Sequence, residues 1–153
     1  MPESLQLMVF SLDERLYALH LSRVERTARM VEITPLPKAP EIVLGVINVH
    51  GRIMPVLDIR KRFRLPEQET CLSSQLIIAR TKRRPVALVA DMVNEVVTLP
   101  GEEMVEPASI LPHLEYVEGV ALLDGGMVFI HDLDAFLSLE EEQALDAALA
   151  GAL

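Results

Sequence analysis

Few side chains in this chain could do chemistry. Four histidines, His20, His50, His113 and His131, and one cysteine, Cys71, are scattered over 153 residues. Zinc ligation calls for Cys or His paired at short spacing, and no such pair occurs. His131-Asp132 has the form of a metal-hydrolase dipeptide, but no second His-Asp pair accompanies it. Cys71 stands in a polar stretch with no histidine beside it, which argues against a Cys-His nucleophile. There is no glycine-rich phosphate loop and no G-x-S-x-G elbow. The expectation is therefore no catalytic residue, no metal and no cofactor, with a small metal-dependent hydrolase on a β scaffold as the alternative from another class. His20 falls within an apolar run, where a satisfied core histidine is expected. A lone thiol suits a reducing compartment. No window reaches 18 apolar residues and no secretory signal is visible, so the reading is cytoplasmic, with no direct membrane insertion.

Charge adds a second constraint. Arg60-Lys61-Arg62 with Arg64, and Arg80 with Lys82 to Arg84, form two basic clusters. Nucleic-acid binding would set aromatics among them, yet only Phe63 is there and the chain carries −9 overall. Solvated tips or protein contacts are the expectation, not nucleic acid. Residues 1–84 hold all 14 basic and 9 acidic residues, a net of +5; residues 85–153 hold 14 acidic residues and no basic one, a net of −14. Opposite fields at opposite ends would suit a head-to-tail contact that weakens with salt.

The elements that position these residues read as strands. The chain is 50% hydrophobic but 4% aromatic, so the core is expected to be aliphatic. Residues 5–12 and 16–21 suggest a hairpin about Asp13-Glu14, and 24–33 a further strand. Thr34 to Pro37, with Pro40, is a stiff connection. Two apolar runs, 46–49 and 53–59, flank His50-Gly51, the pattern of a tight glycine turn. Pro55 should place its strand at an edge or carry a bulge. Asp58 is set to N-cap a helical turn through Phe63, and 64–75 reads as a polar loop. Residues 76–79, 85–90 and 93–99 are further strands about a basic tip at 80–84. Residues 102–115 should be irregular, and 117–123 with 127–130 a hairpin about Gly125-Gly126. Asp132 caps another helical turn. Ser138 to Glu141 is a capping box, S-x-x-E, opening a helix with Leu145, Ala148 and Leu149 on one stripe and Gly151 at its end.

The chain repeats itself. Gly45-Val46, Gly51, Ile53, Val56, Asp58 and Ile59 recur 74 positions later as Gly119-Val120, Gly125, Met127, Ile130, Asp132 and Leu133. Ala18-Leu19, Ser22 and Val24 match Ala87-Leu88, Asp91 and Val93 at an offset of 69. Two copies of one small β unit, near 16–59 and 85–133, cannot each bury enough surface alone. Two small five-stranded antiparallel barrels on a shared apolar core follow.

Gly45-Val-Ile-Asn48-Val-His-Gly51, then Pro55, Asp58 and Arg60, is similar to the G-V-x-N-L-R-G-x-x-x-P-x-x-D-L-R signature of CheW-like coupling domains. Asp91-x-Val93, Ile110, the Gly119 to Gly125 segment and the capped final helix continue the likeness, over about residues 5–150. The resemblance implies a mainly β fold of two intertwined SH3-like barrels, with short helices and a C-terminal helix, in one domain over 1–153. It implies a non-enzymatic adaptor that links the cytoplasmic tips of methyl-accepting chemoreceptors to the regulatory domain of the histidine kinase CheA. An adaptor of a related pathway, such as pilus-based motility or another receptor-kinase array, is the alternative within the class. By position Val24, Val93 and Val96 would line the receptor groove, while Arg26, Asn48, His50, Gly51, Asp58 and Arg60 would form the signature and kinase-contact set. Two positions depart from the family: Arg26 stands where Glu is usual and His50 where Arg is usual.

Overall fold

A computed structural model describes residues 4–66, 73–100, 104–105, 116–123 and 126–152. Cys71, His113, Ile110, Gly125 and most of the stretch expected to be irregular at 102–115 lie outside them. The first block gives β1 (Ser4–Leu12), β2 (Arg15–His20), β3 (Val24–Arg29), β4 (Val43–Val49), β5 (Arg52–Leu57) and the short helix α1 (Ile59–Arg62). The second gives β6 (Gln75–Arg80), β7 (Pro85–Ala90), β8 (Met92–Pro100), β9 (Met104–Val105), β10 (Val117–Leu123), β11 (Gly126–His131) and α2 (Leu139–Ala152). The two-residue β9 falls inside the stretch expected to be irregular. β3 stops at Arg29, four residues short of the expected strand end.

Two sheets form, in the orders β8-β1-β2-β11-β10-β9 and β3-β6-β7-β5-β4. Positions 69 or 74 apart occupy the same place in both. Val46 faces Pro55 as Val120 faces Phe129, and the register shifts after Val43 as it does after Val117. The parallel pair Val56↔Ala87 in one sheet matches Ile130↔Ala18 in the other. Each sheet therefore joins two strands of one copy to the hairpin of the other copy. No ladder joins first strand to last among the described residues, so the SH3-like sheets stay open.

The burial pattern explains this architecture. Leu7, Val9 and Ala18 pack with Ala121, Val128 and Ile130 inside the first sheet. Their equivalents, Leu76, Ile78, Ala87, Ile47, Met54 and Val56, pack inside the second. The opposite faces of the same strands, among them Met8, Phe10, Tyr17, Leu19, Ile77, Ala79 and Leu88, fill a larger cluster between the sheets. Strands β1, β2, β6 and β7 are thus buried on both faces, which is why they read as unbroken apolar runs. At about 25 cal/mol per Å² of apolar surface removed from water, this double burial is the main favourable term of the fold.

Three local expectations need correction. β5 is an internal strand, not an edge, and the register shift lies on its partner β4. Val46 exchanges both backbone hydrogen bonds with Thr34, away from β5, at 2.8 and 2.9 Å. Pro55 opposite it therefore turns its missing N–H away from β4, and pairing with β7 begins only at Val56. Proline is tolerated because that flank is unpaired. Asp58 and Asp132 stand at N-cap positions without a side-chain cap bond. Instead their N–H groups donate to Ile42 and Tyr116, 2.7 and 2.9 Å. Gly151 lies inside α2. The capping box does form: Glu141 N–H donates to Ser138 Oγ at 3.1 Å and Ser138 N–H to Glu141 Oε1 at 2.9 Å.

Candidate functional site

The sequence-derived groove residues sit on two strands that end their sheets. Val24 on β3 faces Ala79, and Val93 on β8 faces Phe10, the equivalent position 69 residues away. Both are half-buried and pack against the central cluster. Val96 faces Met8, on the same side of β8 as Val93, and is 53% exposed. The three valines thus stand along the seam between the sheets.

The hairpin residues split into outward and inward sets. His50 (φ 51°) and Gly51 (φ 83°) form the two central residues of the β4–β5 turn, closed by Val49↔Arg52. Positive φ at both places is what a two-residue hairpin needs. A Cβ at Gly51 would touch nothing within 4 Å, so the glycine serves conformation, not space. Asn48 Oδ1 accepts the Gly51 N–H at 2.8 Å and locks the turn. His50, Asn48 and Arg26 are exposed.

Arg60 points inward, with 9% of its side chain exposed. Its Nη1 donates to Asp13 Oδ2 (2.7 Å) and the Pro66 carbonyl (3.3 Å), and its Nη2 to both oxygens of Asp91 (2.8 Å each). Asp13 N–H also donates to Asp91 Oδ2 at 2.9 Å. One guanidinium thereby joins the β1–β2 turn, the β7–β8 turn and α1. Burial works against the charge on Arg60, but the two carboxylates outweigh it and hold its pKa above the usual value. The hydrogen bond from Arg60 holds the Asp13 carboxyl below its usual range. The sequence put Arg60 in the signature and kinase-contact set; its inward bonds appear only with its partners, 47 and 31 positions away.

The departures at positions 26 and 50 have a neighbouring counterpart. Glu25, at the β3 register shift, accepts from Arg52 at 3.0 and 3.4 Å. That bond, chiefly, lowers the Glu25 pKa. The opposite charges stand one and two residues from the family's usual places.

Much of the charge asymmetry is spent within the molecule. Arg23 pairs with Asp134 at 2.6 Å, Arg84 with Glu142 at 2.8 Å and also with Asp146, and Arg62 with Glu141. These contacts tie the basic first part to the acidic second part.

His131 is the least expected site. It is 1% exposed, and neither ring nitrogen finds a hydrogen-bond partner in the protein. Phe63 stacks on it at 4.4 Å; Tyr17, Phe136 and Phe10 surround it at 5.0 to 5.6 Å. Phe129 and Tyr116 extend the cluster, which takes in all six aromatics of the chain. The low aromatic content thus hid a single aromatic centre in the seam. Burial lowers the His131 pKa to about 3. Among the described residues no group of three or more His, Cys, Asp or Glu could hold a metal ion. His20 Nε2 lies 3.0 Å from Glu118 Oε2 and is satisfied there. No helix among the described residues is long and apolar enough to cross a membrane.

Comparison with known proteins gives a consistent result. The family model described as the CheW-like domain matches residues 6–141. The chemotaxis protein CheW of Rhizobium meliloti is 28% identical over 141 residues, 91% of either chain. That of Bacillus subtilis is 27% identical over 141 residues, covering 91% of this chain and 90% of its own. Protein FrzA of Myxococcus xanthus is 28% identical over 75 residues, about half of each chain. Among solved structures, the scaffolding protein TtCheW of Thermoanaerobacter tengcongensis superposes with a TM-score of 0.81 at 31% identity, covering 92% of both chains.

Proposed function

The chain belongs to the CheW-like family of chemotaxis scaffold proteins, and from that premise we propose that it couples receptor tips to the regulatory domain of a CheA-type kinase. It acts by binding, without catalysis of its own, in the cytoplasm at membrane receptor arrays. We place it there as a single domain over 1–153 built from two intertwined subdomains. The observation that carries this reading is the equivalence of Val24 and Val93. Equivalent positions on two sheet-end strands present half-buried valines at one apolar seam, with Val96 exposed beside them. An amphipathic helical hairpin binds such a seam through its apolar face. The outward hairpin residues, Asn48, His50, Gly51 and Arg26, form the kinase side. Asp58 and Arg60 support that side from within.

A second reading has its own support. Arg26 and His50 replace the usual charges, which suits an adaptor of a related receptor-kinase pathway.

A pull-down with a receptor-tip hairpin and with the kinase regulatory domain tests the first reading. Wild type should retain both, and Val24→Arg should lose the tip while keeping its thermal midpoint. Retention of neither by wild type rejects the reading.

A further inference from the structure

We propose that Arg60 is a positioning residue for the groove, one that sets the start of β8, and with it Val93, through Asp91. The proposal rests on the groove reading above for its functional meaning, and on the clamp geometry for its physical content. Asp91 lies two residues before Val93 in the turn that opens β8. Its carboxylate takes both oxygens onto one Arg60 nitrogen at 2.8 Å, and its N–H donates to the Ser11 carbonyl at 3.0 Å. Val93 N–H is held in turn by Gln75 Oε1 at 2.6 Å, from the start of β6 in the other sheet. The path into β8 is therefore fixed from both sheets within three residues. Charge-assisted bonds of this kind are shorter and stronger than bonds between neutral groups.

Asp13 provides the contrast. It accepts from the same guanidinium at 2.7 Å and is exposed to a similar degree, 34% against 35% for Asp91. It lies in the β1–β2 turn and leads to no groove valine. A clamp that merely adds stability would treat the two carboxylates alike. A clamp that positions β8 would not.

Asp91→Asn and Asp13→Asn each weaken one arm without removing Arg60. Both are expected to lower the urea midpoint. Asp91→Asn is expected to speed amide exchange at Val93 at least tenfold, move its methyl NMR signals, and weaken receptor-tip binding about tenfold. Asp13→Asn is expected to leave Val93 exchange and tip binding within twofold of wild type. Equal effects of the two variants at Val93, or no effect of Asp91→Asn there, overturn the proposal. If wild type binds no receptor tip while Asp91→Asn alone loosens Val93, the positioning role stands and the groove reading fails.

Discussion

Replacing His131 by Leu should stabilise the protein, and more so in mild acid. The equivalent residue 74 positions earlier is Leu57, fully buried in the same cluster. Leaving two buried nitrogens without partners costs about 2–4 kcal/mol. The lost ring stacking on Phe63 and the change of shape return about 1–2 kcal/mol of that. The net expectation at pH 7 is a gain of about 1 kcal/mol. The pH dependence is sharper. His131 has a folded pKa of about 3, below its usual 6.5. As pH falls below 6.5 the unfolded chain takes up a proton that the folded chain refuses. Stability is then lost progressively and levels off below about pH 3. Between pH 7 and 5 this amounts to about 2 kcal/mol, at 1.36 kcal/mol per pH unit. That window lies above the ordinary range of Asp13, Glu25 and Glu141, whose lowered pKa values matter only in stronger acid. Urea denaturation followed by circular dichroism at pH 7, 6 and 5 measures the difference between wild type and His131→Leu. Parallel pH slopes for the two proteins would refute the claim that the imidazole is held neutral. A loss of more than about 1 kcal/mol on substitution at pH 7 would show that packing outweighs the unpaired nitrogens.

A Cβ at Gly45 would fall inside contact distance of the Thr34 carbonyl and 2.9 Å from Ile33 Cγ2. Gly45→Ala should cost about 2–3 kcal/mol by overpacking and raise exchange at the Thr34 and Val46 amides. Gly51→Ala meets no atom, but its φ of 83° is strained for a side chain, so about 1 kcal/mol is expected in the denaturation midpoint. Arg84→Ala leaves Glu142, which is 7% exposed, without its partner, and should cost about 3 kcal/mol and raise amide exchange along α2. Asp13, lowered by its bond from Arg60, stabilises the fold above its ordinary pKa and loses that contribution as pH falls through the folded value. Asp13→Asn should therefore flatten the acid limb of the stability curve below pH 4.

The sequence by itself determined the repeat, most strands, the His50-Gly51 turn and the Ser138 capping box. These are local signals: apolar runs, glycine at positive φ, a hydroxyl three residues before a glutamate. The repeat offsets even matched the register, because both copies obey the same pleat. Tertiary structure alone decided which copy each hairpin joined. Periodicity shows that a face is apolar, not which face it will meet, and the two copies offer the same face. For that reason the strands of each copy divide between two sheets, and Pro55 lies in an internal strand. The charged partners were hidden for a like reason. Arg60 and Asp91, Arg84 and Glu142, or Arg52 and Glu25 stand 27 to 58 positions apart. Coulomb attraction in a sequence has no direction until packing fixes who is near. His131 is the clearest case. Its neighbours in sequence suggested a metal dipeptide, while its neighbours in space are aromatic rings that bury it without a partner.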